Sequence, residues 1–423
     1  MTGRRLAFVA AGLVAAACVE RLQAPGHCPD FCPSGQVTIS DTLLTTNIYG
    51  DSAFRGYVLA HQSTVMLAAV LPGYPPSLSD TLDGRPIFRI NGVGSRFSIS
   101  TADTSRGAIL GADSARLELS ITRRDTATHN LRLALYRLPI TIDSTTTFTD
   151  LAGSFTDSLL KQVNIDTLMT LPDRKDSVTG DSIVVDSLNQ RLVLSLKLMA
   201  PAARYLGTDS GTVAYGIRIA ADTLASIALG KGGLVVPKLQ WYLQVDSLGT
   251  PVERASVVLN PAFASFVFTP PPASVDTTLA VGGVPSVQSL LRVNVPSVLK
   301  DSARIIRGTL ILVPAVPARG APADSFVVDV RSVLADFGAK SPLDLRIADS
   351  TIIHPGSTDT VQVEVTNLMQ LWALDATHPT VLVLRPRYPV QSFGEIHFYP
   401  SRAAAFRPAL QVTYVRKFPF GQR

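Results

Sequence analysis

The chain alternates apolar and polar positions over short runs along most of its length. Arg116-Leu-Glu-Leu-Ser-Ile121, Leu192-Val-Leu-Ser-Leu196, Val361-Gln-Val-Glu-Val365 and Leu410-Gln-Val-Thr-Tyr414 each place every second side chain on one face. That period of two is the mark of a strand with one face buried and one in water. Clusters of Asp, Ser, Thr, Gly and Pro separate the runs, so many short strands joined by turns are predicted. Helical periods are rare, and only Ser332–Phe337 and Leu368–Leu374 suggest a turn or two of helix.

The runs also repeat. Asp-Ser-Ala-Arg occurs at 113–116 and again at 301–304. Leu192–Leu196 answers Val361–Val365, and each is followed by a Leu-Met pair. Pro237-Lys-Leu-Gln-Trp-Tyr-Leu243 answers Pro408-Ala-Leu-Gln-Val-Thr-Tyr414. The last two matches keep their order about 170 positions apart, which implies a duplicated domain. The expected architecture is all-β: two tandem jelly-roll-like antiparallel β-sandwiches at 37–250 and 251–418, then a short tail at 419–423. The first copy is longer in its middle, and the excess falls in a Ser/Thr/Asp-rich stretch at about 141–190, read as a loop or hairpin insertion.

In the second copy, Ser289-Leu-Leu-Arg-Val-Asn-Val295, Arg304-Ile-Ile-Arg-Gly-Thr-Leu-Ile-Leu312, Val361–Trp372 and Ser401–Tyr414 follow one another over about 275–415, and this succession resembles the segments of DNRLRE-type domains. Ala403 stands where the family has an acidic residue, and the motif that gives the family its name is absent. The resemblance implies a secreted or surface jelly-roll sandwich close to carbohydrate-binding modules.

The N-terminus carries an address. Arg4 and Arg5 precede an apolar run, Leu6–Ala17, too short to span a bilayer as a helix but suited to a signal peptide at 1–17. Small residues Ala15 and Ala17 precede Cys18, which resembles a lipoprotein processing site. Cys18 is therefore the expected lipid carrier, attaching the chain to an outer membrane, on a cell-surface or periplasmic face; plain secretion after Ala17 is the alternative. Residues 18–36 read as a Pro/Gly-rich tether, in which Cys28 and Cys32 form an expected disulfide.

Composition narrows the function classes. The chain has 423 residues with 17% charged side chains, including only eight lysines and five glutamates. Such a sequence is poor in the residues that line exposed helix faces. The net charge of +5 falls by two if the leader with Arg4 and Arg5 is removed, and no basic run tracks a phosphate backbone, so nucleic acid is not an expected partner. No two histidines stand at metal-ligand spacing, and no nucleophile elbow or phosphate loop is present. Gly207-Thr-Asp-Ser-Gly211 and Ala228–Gly233 read as turns. No catalytic residue and no cofactor is expected. Asp173, Asp176, Asp181 and Asp186 form the one weak calcium candidate, against the simpler reading of a solvated loop.

Alternation places Trp241 in the core, and Trp372 matches a packing position of the resembled family. Tyr49, Tyr57, Tyr242, Tyr388 and Phe393 remain as aromatics able to stack on sugar rings. The expected function is a non-catalytic, lipid-anchored surface module that holds polysaccharide or another envelope component. The alternatives are a structural or protein-binding lipoprotein of a surface complex and, behind it, a polysaccharide-cleaving enzyme.

Overall fold

The computed structural model describes residues 39–56, 60–72, 81–97, 107–199, 202–203, 211–246, 253–270, 277–284 and 286–416. Cys18, Cys28, Cys32 and Tyr57, with the predicted leader and tether, lie outside the described residues. Strands dominate the rest, and every strand pair is antiparallel. No helix among the described residues is long and apolar enough to cross a membrane.

In chain order the strands are β1 (Ile39–Leu44), β2 (Ile48–Arg55), β3 (Val65–Pro72), β4 (Thr81–Ile90), β5 (Arg96–Phe97), β6 (Gly107–Arg124), β7 (Arg132–Leu138) and β8 (Leu159–Asn164). Next come β9 (Ser182–Asp186), β10 (Arg191–Met199), β11 (Val213–Ala220), β12 (Ala225–Gly230), β13 (Lys238–Asp246), β14 (Glu253–Leu259), β15 (Phe263–Phe268) and β16 (Leu279–Gly283). The last are β17 (Ser286–Val293), β18 (Ala303–Leu312), β19 (Phe326–Val333), β20 (Leu343–Ile353), β21 (Val361–Glu364), β22 (Val381–Pro386), β23 (Glu395–Phe398) and β24 (Ala409–Arg416).

These strands build two sandwiches with one topology. In the N-terminal sandwich, one layer runs β14-β13-β6-β10-β9. The other runs β12-β3-β4-β11-β7-β8, with β15 on the far edge of β4. The long β6 ties the layers together by pairing its last residues with β12. In the C-terminal sandwich, one layer runs β1-β24-β18-β21. The other runs β20-β19-β22-β17-β16-β23, with β2 on the far edge of β17. Strand for strand the two orders coincide, β5 and β9 being extra. The matched runs of the sequence repeat occupy matched strands: β10 and β21 both flank the central strand, and β13 and β24 lie on its other side. Each sandwich closes on its own core, around Trp241 and Leu117 in one and Trp372 and Leu310 in the other.

The pairing corrects the expected boundary at the N-terminus. The sequence pattern places residues 39–55 in the first sandwich, yet β1 pairs with β24 and β2 with β17, both in the second. Their counterparts β14 and β15 open the second repeat and pair with β13 and β4 of the first. The two repeats thus exchange their leading strand pair, an intramolecular form of domain swapping. Leu259 and Phe263 lie the same distance downstream of Leu44 and Ile48, so the two arches match in length as well as in place. Leu44 and Ile48 are buried in the C-terminal core, and Leu259 packs on the N-terminal one.

The exchange brings the sandwiches together over a shared apolar layer. Leu67, Leu71, Leu82 and Phe266 of the first meet Val284, Ala321 and Phe393 of the second. The Phe393 ring stands edge-on to Phe266 and Phe268, with centroids 6.0 and 6.5 Å apart. Gly84 is required there, because a Cβ would lie 2.5 Å from the Phe393 ring. Polar groups fill the margin. Asp324, wholly buried, accepts from Ser226 Oγ at 3.0 Å and from the Arg123 guanidinium at 3.0 Å.

Two local expectations change. Ser332 and Val333 continue β19 instead of starting a helix, because β20 and β22 pair with that strand on both edges. Leu368–Leu374 does lie in a helix, Thr366–Leu374, which buries Leu368, Met369 and Trp372. The 141–190 stretch is only partly an insertion, since it contains β8, the counterpart of β20, as well as the additional β9.

Candidate functional site

The outer face of the β14-β13-β6-β10 layer holds a group of ligand-competent side chains around an exposed tyrosine. Along β13, Leu239, Trp241, Leu243 and Val245 point inward and are fully buried. Gln240, Tyr242 and Gln244 therefore point out. Strand register sets their neighbours. Ser114 and Ser256 stand opposite Tyr242 on the two flanking strands, and Arg116 stands opposite Gln240. On the next strand Lys197 stands opposite Arg116. The result is a shallow depression of about 360 Å³ whose lining includes Asp113, Ser114, Arg116, Lys197, Tyr242 and Arg254.

Three cations here meet one carboxylate. Asp113 is engaged by Arg254 at 3.1 Å and by the Gln244 amide. Arg116 donates to Ser195 Oγ at 2.9 Å. Among the described residues Lys197 has no acidic partner, so the depression carries surplus positive charge beside a ring that is 37% exposed. A planar apolar face flanked by hydroxyl, amide and cationic donors suits a sugar ring bearing acidic groups.

The other aromatic candidates do not join Tyr242. Tyr49 on β2 and Tyr388 after β22 are exposed, but they belong to the C-terminal sandwich and neither lines this depression. Phe393 is corrected outright. It is 0% exposed and packs between the two sandwiches, so no ligand ring can reach it. The sequence pattern could not reveal this, because the residues that bury Phe393 come from the other repeat. The cations around Tyr242 were also missed at the sequence level. Their signal is strand register, which links positions more than a hundred residues apart.

Three of the four candidate calcium ligands are occupied by their own surroundings. Asp176 accepts from Val178 N and Thr179 Oγ1, bonds that hold its carboxyl below the usual carboxylate range. Asp181 is buried against Lys161 at 2.7 Å and accepts from Lys197 N. Asp186 pairs with Arg191 at 2.8 Å. Asp173 sits in a turn with a positive φ of 54°. Among the described residues no group of three or more His, Cys, Asp or Glu side chains is placed to hold a metal.

A close carboxylate–histidine pair exists elsewhere. Glu395 and His397 on β23 are 2.9 Å apart and both fully buried. Burial pushes the Glu395 carboxyl up, but the His397 hydrogen bond and the charges of Arg319 and Arg55 outweigh it and hold the group at about 2. Sealed and multiply paired, this cluster fastens β23 to β2 and to the loop at Arg319.

No family model matches the chain, and no curated protein matches it. Among solved structures, the N-terminal tandem CBM22 domain of a Paenibacillus barcinonensis protein is 8% identical, with 87% of this chain and 94% of that chain covered and a TM-score of 0.13. At that score the match carries no argument about the site, and the chain's class is defined by its own geometry as a double antiparallel β-sandwich.

Proposed function

We propose that this protein is a non-catalytic surface module that binds polysaccharide through the Tyr242 face, held at an outer membrane by a lipid on Cys18. The observation that carries the reading is the exposed Tyr242 ring set among Arg116, Lys197 and Arg254 on a sheet face. A flat sheet face can take a polymer side-on, with stacking supplied by the ring and orientation by the donors around it. The surplus of cations favours acidic chains over neutral ones, and that preference weakens as salt screens it.

Affinity gel electrophoresis of residues 37–423 in immobilised acidic and neutral polysaccharides tests this. Retardation on an acidic polymer is expected, with Tyr242→Ala weakening it about tenfold, the scale of a lost stacking contact. Equal mobility of Tyr242→Ala and the parent in every retarding gel would remove the face from the mechanism. Retention of the Cys18→Ala chain in the membrane fraction would remove the anchor.

A further inference from the structure

The two sandwiches share a topology but treat one sheet face differently. In the N-terminal sandwich the outer face of β15, β4, β11 and β7 is covered by the chain itself. The link from β7 to β8 runs over it, seating Ile142, Leu151 and Phe155 on Ile87, Ala214 and Val267. Phe155 fits so closely that a Cβ on Gly216 would lie 2.4 Å from its ring. Arg85 stacks on Phe148 and Phe155, with its guanidinium carbon 4.2 and 4.6 Å from the ring centroids.

In the C-terminal sandwich the equivalent link, from β19 to β20, is only 334–342 and reaches the margin alone. The equivalent face, around Leu290, Val381 and Val383, is left with a hollow of about 230 Å³. Phe54 forms one wall, Leu290 and Val383 belong to the floor, and Gln288, Ser341 and Arg385 supply polar groups. The hollow is below the roughly 300 Å³ at which pockets begin to enclose drug-sized molecules, which suits a single ring.

Its charge is unbalanced. Asp329 pairs with Arg331 at 3.1 Å and with Arg387 at 2.8 Å. Arg385 has no carboxylate within hydrogen-bond distance among the described residues, and its Nε reaches only the Pro386 carbonyl at 3.5 Å. Its planar fork is thus free to receive a bidentate acceptor.

We propose that this hollow binds a carboxylated sugar, a uronate, with its carboxylate on Arg385, its hydroxyls on Gln288 and its ring face against Phe54. In the other repeat Phe155 covers the corresponding sheet face beside an arginine of a different strand, Arg85 on β4, whereas Arg385 lies on β22, the counterpart of β11. The choice of a sugar rests on the polysaccharide reading, whereas the site is separate from the Tyr242 face. Phe54 belongs to the exchanged strand β2, so the hollow is completed by the first repeat.

The test is an NMR titration of residues 37–423, with phenylalanine rings labelled and the Phe54 signal assigned by Phe54→Leu. D-glucuronate is the probe, and D-glucose and acetate are its neutral and ring-free counterparts. Saturable shifts of Phe54 with glucuronate are expected, weakened roughly tenfold in Arg385→Gln and far smaller with glucose or acetate. Equal responses to glucose and glucuronate would overturn the role of Arg385, and equal responses to acetate would overturn the ring contact. No response of Phe54 to glucuronate would overturn the site. The Tyr242 gel result is read separately, so either proposal can fail alone.

Discussion

The strand exchange makes a prediction that runs against sequence order. Leu44 and Ile48 lie in the first repeat but are 5% and 3% exposed in the core of the second sandwich. Replacing a buried Leu or Ile by Ala costs about 2–5 kcal/mol, and the lower half of that range fits strands held at a sheet margin. Leu44→Ala with Ile48→Ala should therefore remove about 5 kcal/mol, a large part of the ~5–15 kcal/mol that holds a typical domain. At about 2–4 °C per kcal/mol for a unit of this size, the C-terminal sandwich should melt roughly 10–20 °C earlier. Hydrogen–deuterium exchange then locates the loss. Amides of β17 and β24, the partners of these strands, should lose protection, whereas those of β4 and β13 should keep it until the N-terminal sandwich itself opens. The reciprocal pair, Leu259→Ala with Phe263→Ala, should expose β13 and β4 first. If Leu44→Ala with Ile48→Ala instead deprotects β4 and β13, each repeat closes on its own strands and the exchange is refuted.

Four further outcomes follow from buried groups. Phe393→Ala should cost about 3–5 kcal/mol by emptying the layer between the sandwiches, and Gly84→Val should loosen the same layer by forcing the ring aside; denaturant melts read both. Burial, opposed by Arg123 and Ser226, raises the Asp324 carboxyl above its ordinary 3.8. Its contribution is full below about pH 3.8 and is lost as pH rises through the raised value, so Asp324→Asn should flatten that part of the stability–pH curve in thermal melts. Glu395 is shifted the other way, from 4.5 to about 2, so its contribution is present above pH 4.5 and lost as pH falls through about 2. Glu395→Gln leaves Arg319 and Arg55 beside an uncharged amide and should cost about 3–5 kcal/mol at neutral pH, measured by urea denaturation.

The alternation along Lys238–Asp246 was enough to send Trp241 inward and Tyr242 outward, because a strand's side-chain period is local geometry. The repeat was legible for a related reason: matched runs such as Leu192–Leu196 and Val361–Val365 carry the same local pattern and occupy matched strands. What alternation cannot carry is the choice of partner. The arch from Leu44 to Ile48 and the arch from Leu259 to Phe263 are matched in length, although Leu44 and Ile48 are buried and Leu259 and Phe263 only half-buried, so length alone does not assign either arch to a sandwich. The apolar layer around Phe393 holds the observed choice, and it joins residues hundreds of positions apart. The same holds for the candidate sites. Tyr242 could be proposed from its own strand, but Arg116, Lys197 and Arg254 reach it only through register with β6, β10 and β14. Phe54 meets Arg385 only because a strand of the first repeat pairs with the sheet of the second.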